Sequence, residues 1–430
     1  MEYTYVSGLV RVSKKLGNVR IIRASKLPLS ELSFILIGLG QFGAYELELF
    51  RLVPISFCLA IGAMVLLRPS HYSELKSICT ELKFILPIYL FAIISSMWAA
   101  DPITSFRDAL YVLITIIPAF IFGLMLKERC TLENIARGIA LFVLLCFLQA
   151  MYNWYLRGDM MLTSGTSMRS MVGGLVVFST PLLLGVYLTR RSWIMFLGLS
   201  VAIFFLFSIE SRSALVLTLP AILLIIYLYK PIFLVPILMI CVPLVVIAFS
   251  LTDLGAGINE RFSSENFSVD VSENVLDELA LPVHERVDFE RRLTMFTSWE
   301  SLMSHPILGI GYSGILQLNL ERYDVNVSAH GVFPGTAAEI GMVGMCLLVL
   351  FIYRVHHRYI RSPHLLQGSE SRLFCRFLFV SFVFILLFGL FHQLIETYYF
   401  GMIAGFIVGG VRVRAAYYSR NGSSDGGLLQ

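Results

Sequence analysis

Long uninterrupted apolar runs, separated by short polar breaks, dominate the chain, as in Phe84–Trp98, Trp193–Ile209 and Pro231–Leu251. Their polar positions do not alternate with apolar ones, so they read as helices rather than as the strands of a barrel. A helix needs roughly 20 mostly apolar residues to cross a hydrocarbon core about 30 Å thick. On that template the pattern predicts twelve spans, over 30–46, 50–67, 82–98, 108–126, 136–156, 171–189, 193–209, 213–229, 231–251, 335–353, 375–393 and 396–411. The first is the most polar, carrying Glu31 and Gln41. Residues 1–29 form a basic tail, 252–334 the longest gap between spans, and 412–430 a short tail ending in NGSSDGGLLQ that reads as disordered. The expected fold class is therefore all-α, a polytopic transmembrane bundle of about 12 helices.

Composition agrees with lipid as the solvent. Of the 430 residues 57% are hydrophobic and only 14% charged, against about 25% charged in ordinary soluble domains. Lys and Arg also orient the bundle. With the N-terminus in the cytoplasm, 23 of the 33 basic residues fall on the cytoplasmic side. Both termini are then cytoplasmic, and 252–334 faces outward, to the periplasm of a bacterium with two membranes. That loop carries 13 acidic and 5 basic residues, which makes it no surface for nucleic acid. Within it, 287–304 has a helical pattern with Phe289, Leu293, Phe296 and Leu302 near one stripe. His305-Pro306 should end that helix, and Gly309, Gly311 and Gly314 should form a tight turn. Gly401, Gly405 and Gly409 have the spacing of a close helix–helix contact.

Several chemistries lack support. The N-terminal 30 residues do not have the bounded apolar core of a signal peptide. The seven cysteines form no CxxC pair, and most lie inside apolar runs. No GxxxxGK[ST] motif is present, and no acidic or His/Cys cluster has metal-ligand spacing. No cofactor is called for.

Candidate chemistry lies instead at the outer ends of the spans, where polar groups are costly to place. Arg212 sits in the short turn Glu210-Ser211-Arg212-Ser213, at headgroup level. Its guanidinium suits a phosphate; a salt bridge to Glu210 or to a lipid headgroup is the plainer role. Arg291 and Arg292 lie on the loop helix and would serve either as a second anion clamp or as ion-pair partners of Asp288. His330 has the chemistry of a general base, with Glu339 to orient it or to act in its place. His392 and Glu396 form a weaker alternative pair in the last outer turn.

Four segments in order resemble the O-antigen ligase and polymerase family of bacterial surface-polysaccharide enzymes. Ser95-Ser96-Met97-Trp98-Ala99-Ala100-Asp101-Pro102 is similar to a Ser-x-x-Trp-x-x-Asp-Pro stretch, and Ser211-Arg212-Ser213-Ala214 to a Ser-Arg segment opening a span. Arg291 or Arg292 through Trp299, then His305-Pro306-Ile307-Leu308-Gly309-Ile310-Gly311, resembles a signature helix and Pro-x-x-Gly-x-Gly turn. His330 with Glu339-Ile340-Gly341-Met342-Val343-Gly344 resembles the closing motif, except that Gly331 stands where the family usually has Asn. The likeness spans roughly 80–350.

This resemblance implies a fold like that of the membrane glycosyltransferases that use lipid-linked donors, termed GT-C. It implies glycan transfer from undecaprenyl pyrophosphate to an acceptor sugar or to lipid A–core, at the periplasmic face of the inner membrane and without metal. Arg212 and one of Arg291 or Arg292 would then hold the donor pyrophosphate, and His330 would be the catalytic base or would position the acceptor hydroxyl. Other proteins of a polysaccharide assembly complex would be natural partners. A flippase for lipid-linked oligosaccharide is the rival, and it would favour charged groups near the midplane and paired broken helices.

Overall fold

The computed structural model describes residues 29–46, 52–66, 81–129, 132–157, 166–208, 212–233, 283–325, 327, 331–361, 369–389 and 400–408. Among these residues every regular element is helical. In chain order they are α1 (Leu29–Glu46), α2 (Leu52–Leu66), α3 (Leu82–Ser95, running into a 3-10 turn at Ser96–Trp98), α4 (Pro102–Arg129), α5 (Leu132–Arg157), α6 (Thr166–Arg190), α7 (Trp193–Ser208) and α8 (Arg212–Tyr229). After Pro231–Phe233 the next described elements are α9 (Val283–Ser304) and α10 (Gly314–Tyr323). A π-helical turn, Gly331–Thr336, leads into α11 (Ala337–Arg361), followed by α12 (Ser369–Phe388) and α13 (400–408). The basic N-terminal tail, most of the predicted ninth span, residues 252–282 and the C-terminal tail lie outside the described residues.

Among the described residues, four helical stretches are long and apolar enough to cross a membrane: Pro102–Met125, Glu133–Tyr152, Val172–Arg190 and Pro334–His357. Six more, Glu31–Gly40, Leu52–Leu66, Leu82–Trp98, Trp193–Leu206, Ala214–Tyr229 and Arg376–Phe388, are apolar but shorter. Large apolar side chains also face outward along these helices. On α4, Ile103, Phe106, Leu110 and Ile114 are exposed along one line. That pattern fits a protein whose surroundings are as apolar as its core. Pro118, Pro181 and Pro220 lie inside α4, α6 and α8, which membrane helices tolerate better than soluble ones.

Aromatic rings fill the interior. Phe34 of α1 meets Phe122 of α4 edge-on at 5.4 Å, and Phe57 of α2 meets the same ring at 5.6 Å. Phe351 of α11 packs edge-on against Phe120 and against Phe400 of α13. Such offset and edge-on pairs follow from the ring quadrupole. Small residues let other helices approach more closely. A Cβ on Gly405 would come within 2.2 Å of the Phe120 carbonyl oxygen, and one on Gly123 within 2.1 Å of that of Met402. The glycine spacing in the last predicted span thus marks a close contact with α4 at Gly401 and Gly405; Gly409 lies outside the described residues.

One expectation is corrected. Phe289, Leu293, Phe296 and Leu302 do not share one apolar stripe on α9. Leu293 and Leu302 are buried, whereas Phe296 is exposed, and the Phe289 side chain lies outside the described residues. The buried side of α9 consists largely of small polar residues: Thr294, Thr297, Ser298 and Ser301. Thr294 and Thr297 turn their hydroxyls onto the carbonyls of Glu290 (2.7 Å) and Leu293 (3.0 Å) in their own helix, which lets a polar face turn inward, while Leu302 clusters with Ala337 and Ala338.

Candidate functional site: a backbone knot at a helix break

The tenth predicted span is not one straight helix. Gly341 has φ 62° and ψ −174°, which breaks the i to i−4 ladder in the middle of an apolar segment. A break there frees backbone donors and acceptors that lipid cannot satisfy. The segment Pro306–Gly311 takes them up. Ile310 N–H donates to the Ala338 carbonyl (2.9 Å), and Gly311 N–H donates to that of Glu339 (3.0 Å). In return, Met342 N–H donates to the Pro306 carbonyl (2.9 Å) and Val343 N–H to that of Ile307 (3.2 Å). The close approach needs glycine on both sides. A Cβ on Gly341 would lie 2.3 Å from the Ile307 oxygen, and one on Gly309 would lie 2.3 Å from the Glu339 oxygen.

The Ser95–Pro102 stretch closes the third side. Trp98 Nε1–H donates to the Gly309 carbonyl at 3.2 Å. Ser95 Oγ accepts from Tyr312 N–H at 3.1 Å, and Ser105 Oγ donates to the Tyr312 carbonyl. Gln317 makes a reciprocal pair with the Asp101 backbone, accepting at 2.7 Å and donating at 3.1 Å. Asp101 Oδ1 accepts from the N–H groups of Ile103 and Thr104, both at 3.2 Å, and so caps α4, whose first residue is Pro102. Hydrogen bonding to the Thr104 side chain and to these N–H groups holds the Asp101 carboxyl below the usual aspartate range. Ser313 Oγ adds a bond to Asp108 Oδ2 at 3.3 Å. Three motifs, the first more than 200 residues ahead of the other two, thus form one knot.

Glu339 sits at the lip of the break, only 2% exposed. Its position is the last turn of the short helical piece before Gly341, not the opening of a continuous span. Arg212 is the first residue of α8, and Arg291 and Arg292 lie on the middle turns of α9; their side chains are outside the described residues. His330, His392 and Glu396 are likewise outside them, and His330 directly precedes the π-helical turn. Sequence reasoning had not assigned the knot to Trp98, Gln317, Ser95 and Ser105. Their signal was present as the Ser-x-x-Trp-x-x-Asp-Pro spacing, but no residue pattern says what a serine hydroxyl or an indole N–H will bond.

Residues 195–349 match the family model described as O-antigen ligase. That stretch of the chain is similar to an O-antigen ligase domain. The matched segment runs from the start of α7 to the middle of α11 and contains both strands of the backbone pairing, 306–311 and 338–343. Ser95–Pro102 lies outside it in sequence, yet it is bonded directly to the matched Gly309–Gln317 segment. No curated protein matches the chain. That likeness points to membrane glycan transfer of the O-antigen ligase type.

Proposed function

We propose that the protein transfers a glycan from undecaprenyl pyrophosphate onto an acceptor sugar at the periplasmic face of the bacterial inner membrane, in O-antigen or exopolysaccharide assembly. The observation that carries this reading is the O-antigen ligase match over 195–349, which contains the Gly341 break and its buried Glu339. The bundle would be of the GT-C kind, with both termini cytoplasmic.

The chemistry asks little of the protein. The anomeric carbon already carries a good leaving group, a lipid pyrophosphate. The protein must neutralise charge growing on that group and activate an acceptor hydroxyl. Arginines suit the first task, since a planar fork of donors grips phosphate oxygens in fixed geometry and no metal is required. Arg212 opens α8, and a chain that reverses at each connection from α4 onward would bring that helix start to the same end of the bundle as Ser96–Pro102. The register of α9 supports Arg291 as the second clamp. Arg291 shares its row with Thr294, Ser298 and Ser301, the buried side, whereas Arg292 shares its row with exposed Met295, Phe296 and Trp299. His330 would accept the acceptor proton, with buried Glu339 beside the π-helical turn to orient it or to act as base.

The break in α11 also bears on the flippase reading. Broken transporter helices leave backbone carbonyls free for ions or substrate. Here the carbonyls of Ala338 and Glu339 are taken by Ile310 and Gly311, so the break builds a scaffold.

The test is purified protein with a lipid-linked donor and an acceptor glycan. Arg212→Ala and His330→Ala should each lose at least about 100-fold in transfer. Arg291→Ala should lose far more than Arg292→Ala. Full activity in both Arg212→Ala and His330→Ala would reject the site. In cells, deletion that leaves single repeat units on the final acceptor would mark a polymerase. Long chains stranded on the carrier would mark a ligase.

A further inference from the structure

The exposed side of α9 is its apolar side. Met295 (64% exposed), Phe296, Trp299 (50%) and Met303 (69%) fall within about 100° of one another at 100° per residue. The opposite side, from Leu293 round to Leu302, is buried and holds Thr294, Thr297, Ser298 and Ser301. This is the reverse of a helix lying on a protein in water, whose outer face is polar. Among the described side chains from Leu293 to Ser304, charge appears at the border of the exposed face, where Glu300 pairs with Arg322 of α10 at 2.8 Å; Arg292 stands on the same row one turn earlier.

The apolar face continues beyond the helix. Ile307 and Leu308 are exposed in the turn that follows. The Ile307 carbonyl is bonded to Val343 at the foot of α11, whose Met342, Val343, Val349 and Leu350 are exposed along a candidate span. On the other side, Trp98 is bonded to Gly309, and Ile103, Phe106, Leu110 and Ile114 continue down α4. The outer face of α9 therefore joins the outward faces of two membrane-length helices through direct backbone and side-chain bonds at Gly309.

We infer that the C-terminal half of α9, from Leu293 to Ser304, is embedded in the membrane, with Met295, Phe296, Trp299 and Met303 immersed among the acyl chains of the leaflet at the Gly309 end and the Glu300–Arg322 pair at its headgroup boundary. The occupant of this face is bilayer lipid. Continuity with the α4 and α11 outer faces argues against water or a second protein. Trp299 also suits an interfacial depth, where an indole ring meets both hydrocarbon and headgroups. Residues 293–304, expected from the sequence to belong to a solvated loop, are then part of the membrane domain. This conclusion rests on packing alone and is independent of the reaction proposed above.

Fluorescence depth measurement tests it. The sequence has four tryptophans, and replacing Trp98, Trp154 and Trp193 with Phe leaves Trp299 as the reporter. In phosphatidylcholine vesicles, lipid brominated on the upper acyl carbons should quench Trp299 at least about twofold, and aqueous iodide should not. Quenching by iodide without quenching by bromolipid would place α9 in water and overturn the inference. Protection from both would show a protein partner and overturn it equally. Should the triple replacement not fold, a benzophenone amino acid at Met303 in the otherwise native chain gives an independent answer. Photocrosslinks to phospholipid support immersion, and crosslinks only to protein, or none, reject it.

Discussion

The aromatic interior and the Gly309–Gly341 knot hold the same molecule together by opposite means. In the interior, Phe34, Phe57, Phe122 and Phe142 meet through ring edges and tilted faces at centroid distances of 5.4–6.4 Å. Many apolar side chains of similar volume would fill that space, and neighbouring rings have room to reorient. The knot has no such tolerance. It consists of backbone donors and acceptors in fixed pairs, and Gly309 and Gly341 sit where any Cβ meets a carbonyl oxygen. The contrast is physical: dispersion is diffuse and divisible, whereas an orphaned peptide group in a lipid environment must find one partner or leave the fold.

The sharpest way to break this comparison is Gly341→Ala. Left-handed backbone and a Cβ 2.3 Å from the Ile307 oxygen should together cost on the order of 3 kcal/mol or more, read as a large drop in melting temperature in detergent and loss of transfer. Phe122→Leu, in the interior, should cost only about 1 kcal/mol. Equal losses in the two variants would erase the distinction between the regions.

Trp98→Phe comes next. It keeps ring bulk against Phe91, 6.2 Å away, and removes only the indole bond to Gly309, so about 1 kcal/mol is expected. Transfer activity should fall more than stability if this tie positions the Gly309–Gly341 knot, measured as kcat against melting temperature in one preparation.

The smallest effect concerns pH. The Asp101 carboxyl is held below its usual range by Thr104 and neighbouring N–H groups, so the folded state favours its charged form. That contribution is present above the unfolded pKa and disappears as pH falls through the lower, folded one. Stability should therefore decline slightly below about pH 4. Asp101→Asn should flatten that slope while leaving α4 capped. Thermal melts of the two proteins across pH 3–6 in detergent provide the check, and identical slopes would detach Asp101 from any role beyond capping.

The helices themselves were legible in the sequence because a span is a statement about transfer into hydrocarbon, and that depends on composition and length. Predicted segments such as 82–98, 193–209 and 213–229 agree with Leu82–Trp98, Trp193–Ser208 and Arg212–Tyr229 to within a residue or two. The orientation of α9 was not legible in the same way. A helical period shows that two faces differ, but when the surroundings are lipid it cannot say which face is outside, because small hydroxyl-bearing residues pack inward as readily as leucine. Glu339 could be singled out as a carboxylate near a span boundary; that it is buried at a break depends on Gly341.

The sequence determined by itself that this chain is helical, that its solvent is largely lipid, and that its distinctive polar motifs lie near helix ends. Apolar transfer is additive along the chain and needs no knowledge of neighbours. Only the tertiary structure decided that Ser95–Pro102, Pro306–Gly311 and Ala338–Val343 form one unit. Those contacts depend on carbonyl and amide groups that every residue carries, and a sequence does not record which peptide groups will meet.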